Sequence, residues 1–220
     1  MLRLLSLICI LLSGKDSPSD ANLSVSYLTH RDCYGKIAGV ICYVGGEKMA
    51  EIWDVYDEHG RIIDGKSSVR GKHDLCEGEF HLVVSAWIIS SNGQIVISKR
   101  QKGKSYEGFW ECTGGCAVKG EGSLAAVLRE VKEELGISLD PKKGELFARY
   151  LRRYPVGASA ICDVWVFRQD ISQGSFVLQE DEVSDVRLVK RDEIERLAKQ
   201  GKFVQYHYLQ KLLKKYCNQL

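Results

Sequence analysis

Glu130, Glu133 and Glu134 stand at i, i+3 and i+4. On a helix that spacing puts three carboxylates on one face. Like charges so placed repel by roughly 0.2–0.5 kcal/mol per pair. A hard cation bound between them would turn that repulsion into a chelate. Oxygen-only donors suit Mg²⁺ or Mn²⁺ better than zinc. Taken alone, the pattern reads more simply as a solvated acidic face, the ordinary place for charged side chains. What moves the reading toward a metal site is the company the three keep. Gly115, Glu121 and Arg129 stand at fixed distances ahead of them in GCAVKGEGSLAAVLREVKEELGI.

The same run must supply its own scaffold. From Ser123 to Leu135 an apolar stripe, Leu124, Val127, Leu128, Val131 and Leu135, recurs at helical spacing, on the side away from the glutamates. Gly120 and Gly122 mark the turn before this helix and Gly136 its stop, with Ser123 as the expected N-cap.

The skeleton is Gly115, five residues, Glu121, seven residues, then Arg129-Glu130-Val131-Lys132-Glu133-Glu134-Leu135-Gly136-Ile137. It resembles the signature of the Nudix hydrolases, Gx5Ex7REUxEExGU with U aliphatic, with every fixed position present. The resemblance extends beyond this box, from about Glu51 to about Gly201. It implies an α/β fold, an α/β/α sandwich with a mixed central sheet, and metal-dependent cleavage of a diphosphate linkage. By the same resemblance Glu130, Glu133 and Glu134 would hold Mg²⁺ or Mn²⁺, with the Gly115 carbonyl as a further ligand. Arg129 would fix a carboxylate rotamer, Glu133 being the natural partner four residues on. Glu121 would hold the loop–helix geometry or a water on the metal. The general base stays open among these glutamates and one outside the box, for which Glu182 in the acidic run Glu180-Asp181-Glu182 is the candidate. Arg100 is the expected phosphate contact, because a guanidinium binds phosphate oxygens in pairs. Phe109 and Trp110 are expected to pack in the core rather than stack on a base.

Two rival functions follow from the flanks. Glu51–Gly65 and Glu79–Trp110 also resemble the isopentenyl-diphosphate isomerase branch, which transfers protons without hydrolysis. The cysteine and histidine that branch requires are replaced here by Gly114 and Cys116. Although His81 and His73 could match two other histidine ligands, the set is incomplete, and His81 reads more simply as a hydrogen-bonded residue at a strand start. A non-catalytic ligand-binding module is the other alternative, and a pure binder has no need of three repelling carboxylates.

The rest of the chain bounds these readings. Its 220 residues carry a net charge of +2, so no basic excess points to nucleic acid, and no apolar run approaches the ~20 residues that span a bilayer. The partner expected is a small diphosphate or nucleotide substrate, with oligomeric state open. Eight cysteines are too sparse for a disulfide scaffold and read as free thiols in a cytoplasmic protein, and Cys112 and Cys116 lack a second pair for zinc. Residues 1–48 are expected to be an extension. Leu4–Leu12 has the length of a signal h-region, which leaves secretion as an alternative. Alternatively the start is Met49, because Gly45-Gly46 can be encoded by a purine-rich ribosome-binding sequence. Residues 49–79 are expected to hold the first strand and a connection, and 80–216 the hydrolase domain. Strands are expected at Glu51–Asp57, Phe80–Ser90, Gln94–Lys99, Glu145–Tyr154, Ala160–Arg168 and Val186–Val189, and helices at Asp192–Gln200 and Gln205–Tyr216.

Overall fold

The computed structural model describes residues 26–31, 37–44, 47–48, 51–72, 74–154 and 159–217. The signal-like segment, Met49 and the Pro155-Val156-Gly157 connection lie outside them. Where the sequence shows little periodicity, β1 (Ser26–Arg31), β2 (Ile37–Val44) and β3 (Glu47–Lys48) form a three-stranded sheet in that order. The β-branched and aromatic run of β2 suits a strand.

Next along the chain is a hairpin of β4 (Ile52–Tyr56) and β5 (Ile62–Val69). The sequence reading omits β5 because that strand is mostly exposed and carries no apolar alternation, IIDGKSSV. The main sheet contains β6 (His81–Ile89), β7 (Ile95–Arg100), β8 (Trp110–Glu111), β9 (Thr113–Cys116), β10 (Gly144–Arg152), β11 (Ala160–Arg168) and β12 (Val183–Val189). Its order is β10-β11-β6-β7-β12, with β9 on β6 and β8 on β7. The β11–β6 pair is parallel and its other pairs are antiparallel, so the sheet is mixed as expected. β8 and β9 are not among the strands expected from the sequence. They are two and four residues long, and pairing with β7 and β6 makes them strands.

Among the described residues three α-helices cover the sheet: α1 (Ser123–Leu135), α2 (Arg191–Lys199) and α3 (Leu209–Cys217). Successive side chains of a strand point to opposite faces, and β6 uses both. Leu82, Val84, Ala86 and Ile88 join Val127, Val131 and Leu135 of α1 in one apolar core. Trp87 and Ile89 join Ile194 and Leu197 of α2 and Leu212 and Leu213 of α3 in the other. The result is an α/β/α sandwich, with α1 on one face and α2 and α3 on the other.

The boundaries of α1 differ at one end. Gly122, not Ser123, is the N-cap, and no side chain caps it. Ser123 is already helical, and its hydroxyl accepts a hydrogen bond from Trp165 Nε1 at 2.9 Å. Gly136 ends the helix at φ 72°, and a Cβ there would lie 2.6 Å from Val177. Among the described residues no helix is long and apolar enough to cross a membrane.

Candidate active site

α1 delivers its acidic face to the strand β9, and the glycines of β9 make the approach possible. A Cβ on Gly114 would lie 2.2 Å from the Val84 carbonyl oxygen. One on Gly115 would lie 2.3 Å from the Glu130 carboxyl carbon. Any side chain at Gly115 would therefore occupy the space of the Glu130 carboxylate. The turn that follows is tied from outside the box: the Gly120 amide donates to Asp54 Oδ2 at 2.6 Å.

Arg129 organises the carboxylates. Its guanidinium forks onto Glu121, Nε to Oε1 and Nη2 to Oε2, both at 2.9 Å. Nη1 reaches Glu130 at 3.0 Å and Glu133 at 2.8 Å, and Nη2 also donates to the Cys116 carbonyl at 2.9 Å. The expected Arg129–Glu133 pair is present, but the partner gripped by two bonds is Glu121. Glu121 is 5% exposed and also accepts from the Val118 amide at 3.1 Å. It is therefore a buried anchor that locks the loop to the helix through Arg129.

Glu134 takes its own partner, the Thr113 hydroxyl, which donates to its Oε2. Among the described residues no three His, Cys, Asp or Glu side chains converge as a ready metal cage. The hydrogen bonds show why: Arg129 holds Glu130 and Glu133, and Thr113 holds Glu134.

The acidic face is not the solvated surface that the bare spacing allows. Burial, opposed by Arg129 and reinforced by Glu133, pushes the Glu130 carboxyl up to about 7. Burial and then the field of Glu130 push Glu134 up to about 8. Both groups bind a proton more tightly in the folded chain than in the unfolded one, where the value is near 4.5. Stability of the metal-free protein is therefore full below about pH 4.5 in this respect and declines as pH rises toward 8. In EDTA the Tm is expected to fall between pH 5 and pH 8. Millimolar Mg²⁺ at pH 8 is expected to restore about 5–10 °C, the effect of a ligand at about a hundred times its Kd. A calorimetric scan that shows no Mg²⁺ effect at pH 8 would remove the metal from this face.

Gly115 makes a second prediction. Gly115→Ala should push the Glu130 carboxylate aside and weaken Mn²⁺ binding by roughly 10–100-fold, read by electron paramagnetic resonance, with the fold retained. Unchanged Mn²⁺ affinity would mean that Glu130 is no ligand.

The remaining expectations divide. Arg100, the expected phosphate contact, has partners within the chain: its Nη1 bonds Glu111 at 2.5 Å and its Nε the Ser105 carbonyl. Glu111 is half-buried beside Glu134, where desolvation raises its carboxyl and the Arg100 cation opposes that. Glu182 lies close enough to raise Glu134 and Glu111, and Lys104 donates to it at 2.6 Å. Trp110 is 5% exposed in the α2–α3 core, as expected. His81 begins β6, bonds the Ser159 carbonyl at 2.9 Å and stacks on Trp53 with ring centroids 4.4 Å apart. Burial lowers it to about 4, so it is neutral at pH 7.

Thr113, Glu111 and Asp54 are absent from the sequence reading. Thr113 had a usable signal: it stands two residues before Gly115, hence on the same face of any strand there.

A mixed sheet between helices, with a glycine strand lying against an arginine-clamped acidic helix, defines a Nudix-type hydrolase domain. The NUDIX domain model matches residues 79–212. An uncharacterized Nudix hydrolase of Listeria monocytogenes is 37% identical over 164 residues, 74% of this chain and 93% of that one. An isopentenyl-diphosphate Delta-isomerase of Shigella flexneri is 29% identical over 111 residues, 48% of this chain and 59% of that one. A crystal structure of a Deinococcus radiodurans protein superposes with a TM-score of 0.58 at 21% identity, over 76% of this chain and all of that one, and shows the shared fold. The chain belongs to the Nudix family, among the Nudix hydrolases.

Proposed function

We propose that this chain cleaves a diphosphate linkage, in a nucleoside diphosphate joined to another group or in a related organic diphosphate, with Mg²⁺ or Mn²⁺ as cofactor. The observation that carries this reading is the contact between β9 and α1, where the missing side chain of Gly115 leaves room for Glu130 beside Glu133 and Glu134. The donor set fits a hard divalent cation: three carboxylates and the Gly115 carbonyl, all oxygen. Two of the carboxylates are protonated too readily for a comfortable metal-free state. When bound, the cation would neutralise the diphosphate and acidify a water for in-line attack.

The chain's own groups supply the rest. Glu121 and Arg129 hold the helix against the loop. The Thr113 hydroxyl holds the Glu134 carboxylate. Glu134 has the proton affinity of a base at neutral pH, and Glu182 stands near enough to share that role. Arg100 neutralises Glu111 beside them. The working compartment we infer is the cytoplasm, consistent with free thiols at Cys76, Cys112, Cys116, Cys162 and Cys217.

A substrate panel tests the proposal. Nucleoside triphosphates, nucleotide sugars, ADP-ribose and isopentenyl diphosphate would each be incubated with the chain and Mg²⁺ or Mn²⁺, and products resolved by chromatography. Metal-dependent cleavage that disappears in Glu133→Gln/Glu134→Gln is the expected result. Isomerisation of isopentenyl diphosphate without cleavage would replace the proposal with the isomerase reading.

A further inference from the structure

A cleft of about 360 Å³ opens on the α2–α3 face of the sheet, the face opposite α1. Four cations line it, Lys99, Arg187, Arg196 and Lys202, against one acid, Glu107. The whole chain is nearly balanced at +2, so this concentration is local. Three elements bring the cations together. Lys99 lies opposite Trp110 in the β7–β8 pair, and Arg187 opposite Ile97 in the β12–β7 pair, so strand alternation aims both at the α2–α3 face. Arg196 comes from α2, and Lys202 from the segment after it.

The walls are built rather than loose. The Trp110 amide donates to the Lys202 carbonyl at 2.9 Å, and the Val204 amide to the Trp110 carbonyl at 2.8 Å. The Arg187 guanidinium lies 4.5 Å from the Trp110 ring centroid, and Lys99 Nζ 6.0 Å from it. Trp110 is thus a buried floor that already carries cations, not a free stacking surface. Among the described residues Lys99 and Lys202 have no carboxylate partner. Arg187 has one exposed partner, Asp185 at 3.1 Å, a kind of pair that contributes little, whereas Arg196 is held by Glu193 through two bonds at 2.7 and 2.5 Å. Clustered cations, two of them with no carboxylate partner, raise the local concentration of anions, and a guanidinium such as that of Arg187 fits phosphate oxygens in pairs.

We propose that this cleft is a second binding site, for a diphosphate-type anion, separate from the carboxylates. The arrangement also says how it would communicate with them. In the β7–β8 pair Lys99 and Trp110 face the cleft, while their neighbours Arg100 and Glu111 face α1 and pair beside Glu134. The loop between the two strands shapes both sites: Glu107 and Phe109 line the cleft, and Lys104 bonds Glu182.

Inorganic pyrophosphate is the probe, titrated calorimetrically into the full chain in EDTA, where the unneutralised carboxylates of α1 repel it. Saturable binding is expected. Lys99→Gln/Lys202→Gln should weaken it by roughly tenfold or more, and Arg196→Gln, an exposed change on α2, should weaken it in the same direction. Glu133→Gln/Glu134→Gln should leave it within about twofold. The melting temperatures of the cleft variants should stay near wild type, as for surface substitutions. Absence of saturable binding at millimolar pyrophosphate would overturn the proposal, as would binding insensitive to both cleft variants or abolished by the α1 variant. Tight binding of a single-stranded oligoribonucleotide through these same cations, with none of pyrophosphate, would overturn it in favour of a nucleic-acid surface.

Discussion

Arg129→Met should lower the Tm by about 10–15 °C and remove most of the turnover. The guanidinium makes five hydrogen bonds: two to Glu121 and one each to Glu130, Glu133 and the Cys116 carbonyl. Methionine keeps the apolar stem and deletes all five. Glu121 is left 5% exposed with a single amide donor. Stranding one partner of a buried ion pair costs about 3–5 kcal/mol, and in a domain of this size each kcal/mol is worth about 2–4 °C. Arg129→Lys keeps the charge but not the fork, so it should fall between the two. A positioning role adds a signature that mere loss of stability lacks. Well below the Tm of each variant, the Mg²⁺ concentration for half-maximal activity should rise, more for methionine than for lysine, because Glu130 and Glu133 lose their fixed rotamers. A Tm loss under about 3 °C would show that Glu121 is protonated or re-paired, and that the clamp is not what joins loop to helix.

Glu134→Gln should act in opposite directions on activity and stability. On the diphosphate identified by the panel, kcat is expected to fall by about 10³-fold or more, the scale of losing a general base and a metal ligand together. In EDTA at pH 8 the Tm is expected to rise, by about 3–6 °C. Burial and the field of Glu130 hold the carboxyl up at about 8, so its charge is costly in the folded chain. Glutamine keeps the shape and can still accept from the Thr113 hydroxyl, but carries no charge. Allowing generously for relaxation, removing that cost is worth roughly 1–2 kcal/mol. The gain should shrink at pH 5, where the glutamate is already neutral. Stability gained at the expense of function is the usual mark of a residue kept for chemistry. If Glu134→Gln instead destabilised at pH 8, the carboxylate would have a structural partner that outweighs its burial, and a role in the reaction would lose its support.

Much of this protein is legible without coordinates, because local rules act alone in the places that matter. The glutamate spacing, the apolar stripe and Gly136 specify α1 and its acidic face through helical periodicity and the left-handed stop. β6 and β7 announce themselves by apolar runs around Ser91-Asn92-Gly93, where Gly93 adopts φ 76°. The elements that escape are those whose reason lies elsewhere in the chain. β5 is an exposed strand that exists because β4 pairs with it. β8 and β9 are too short to have a period, and their partners β7 and β6 make them strands.

The same division runs through the site. Sequence alone determined which residues form the acidic cluster, that Arg129 stands one turn from Glu133, and that oxygen donors favour a hard cation. Only the tertiary structure decided that Arg129 turns mainly to Glu121, that Glu111 claims Arg100, and that Thr113 holds Glu134. Those choices depend on burial. A carboxylate in water needs no partner, but one enclosed between α1 and β9 must take whatever donor the packing provides. Burial is a property of the assembled sheet and helices, and no spacing along the chain encodes it.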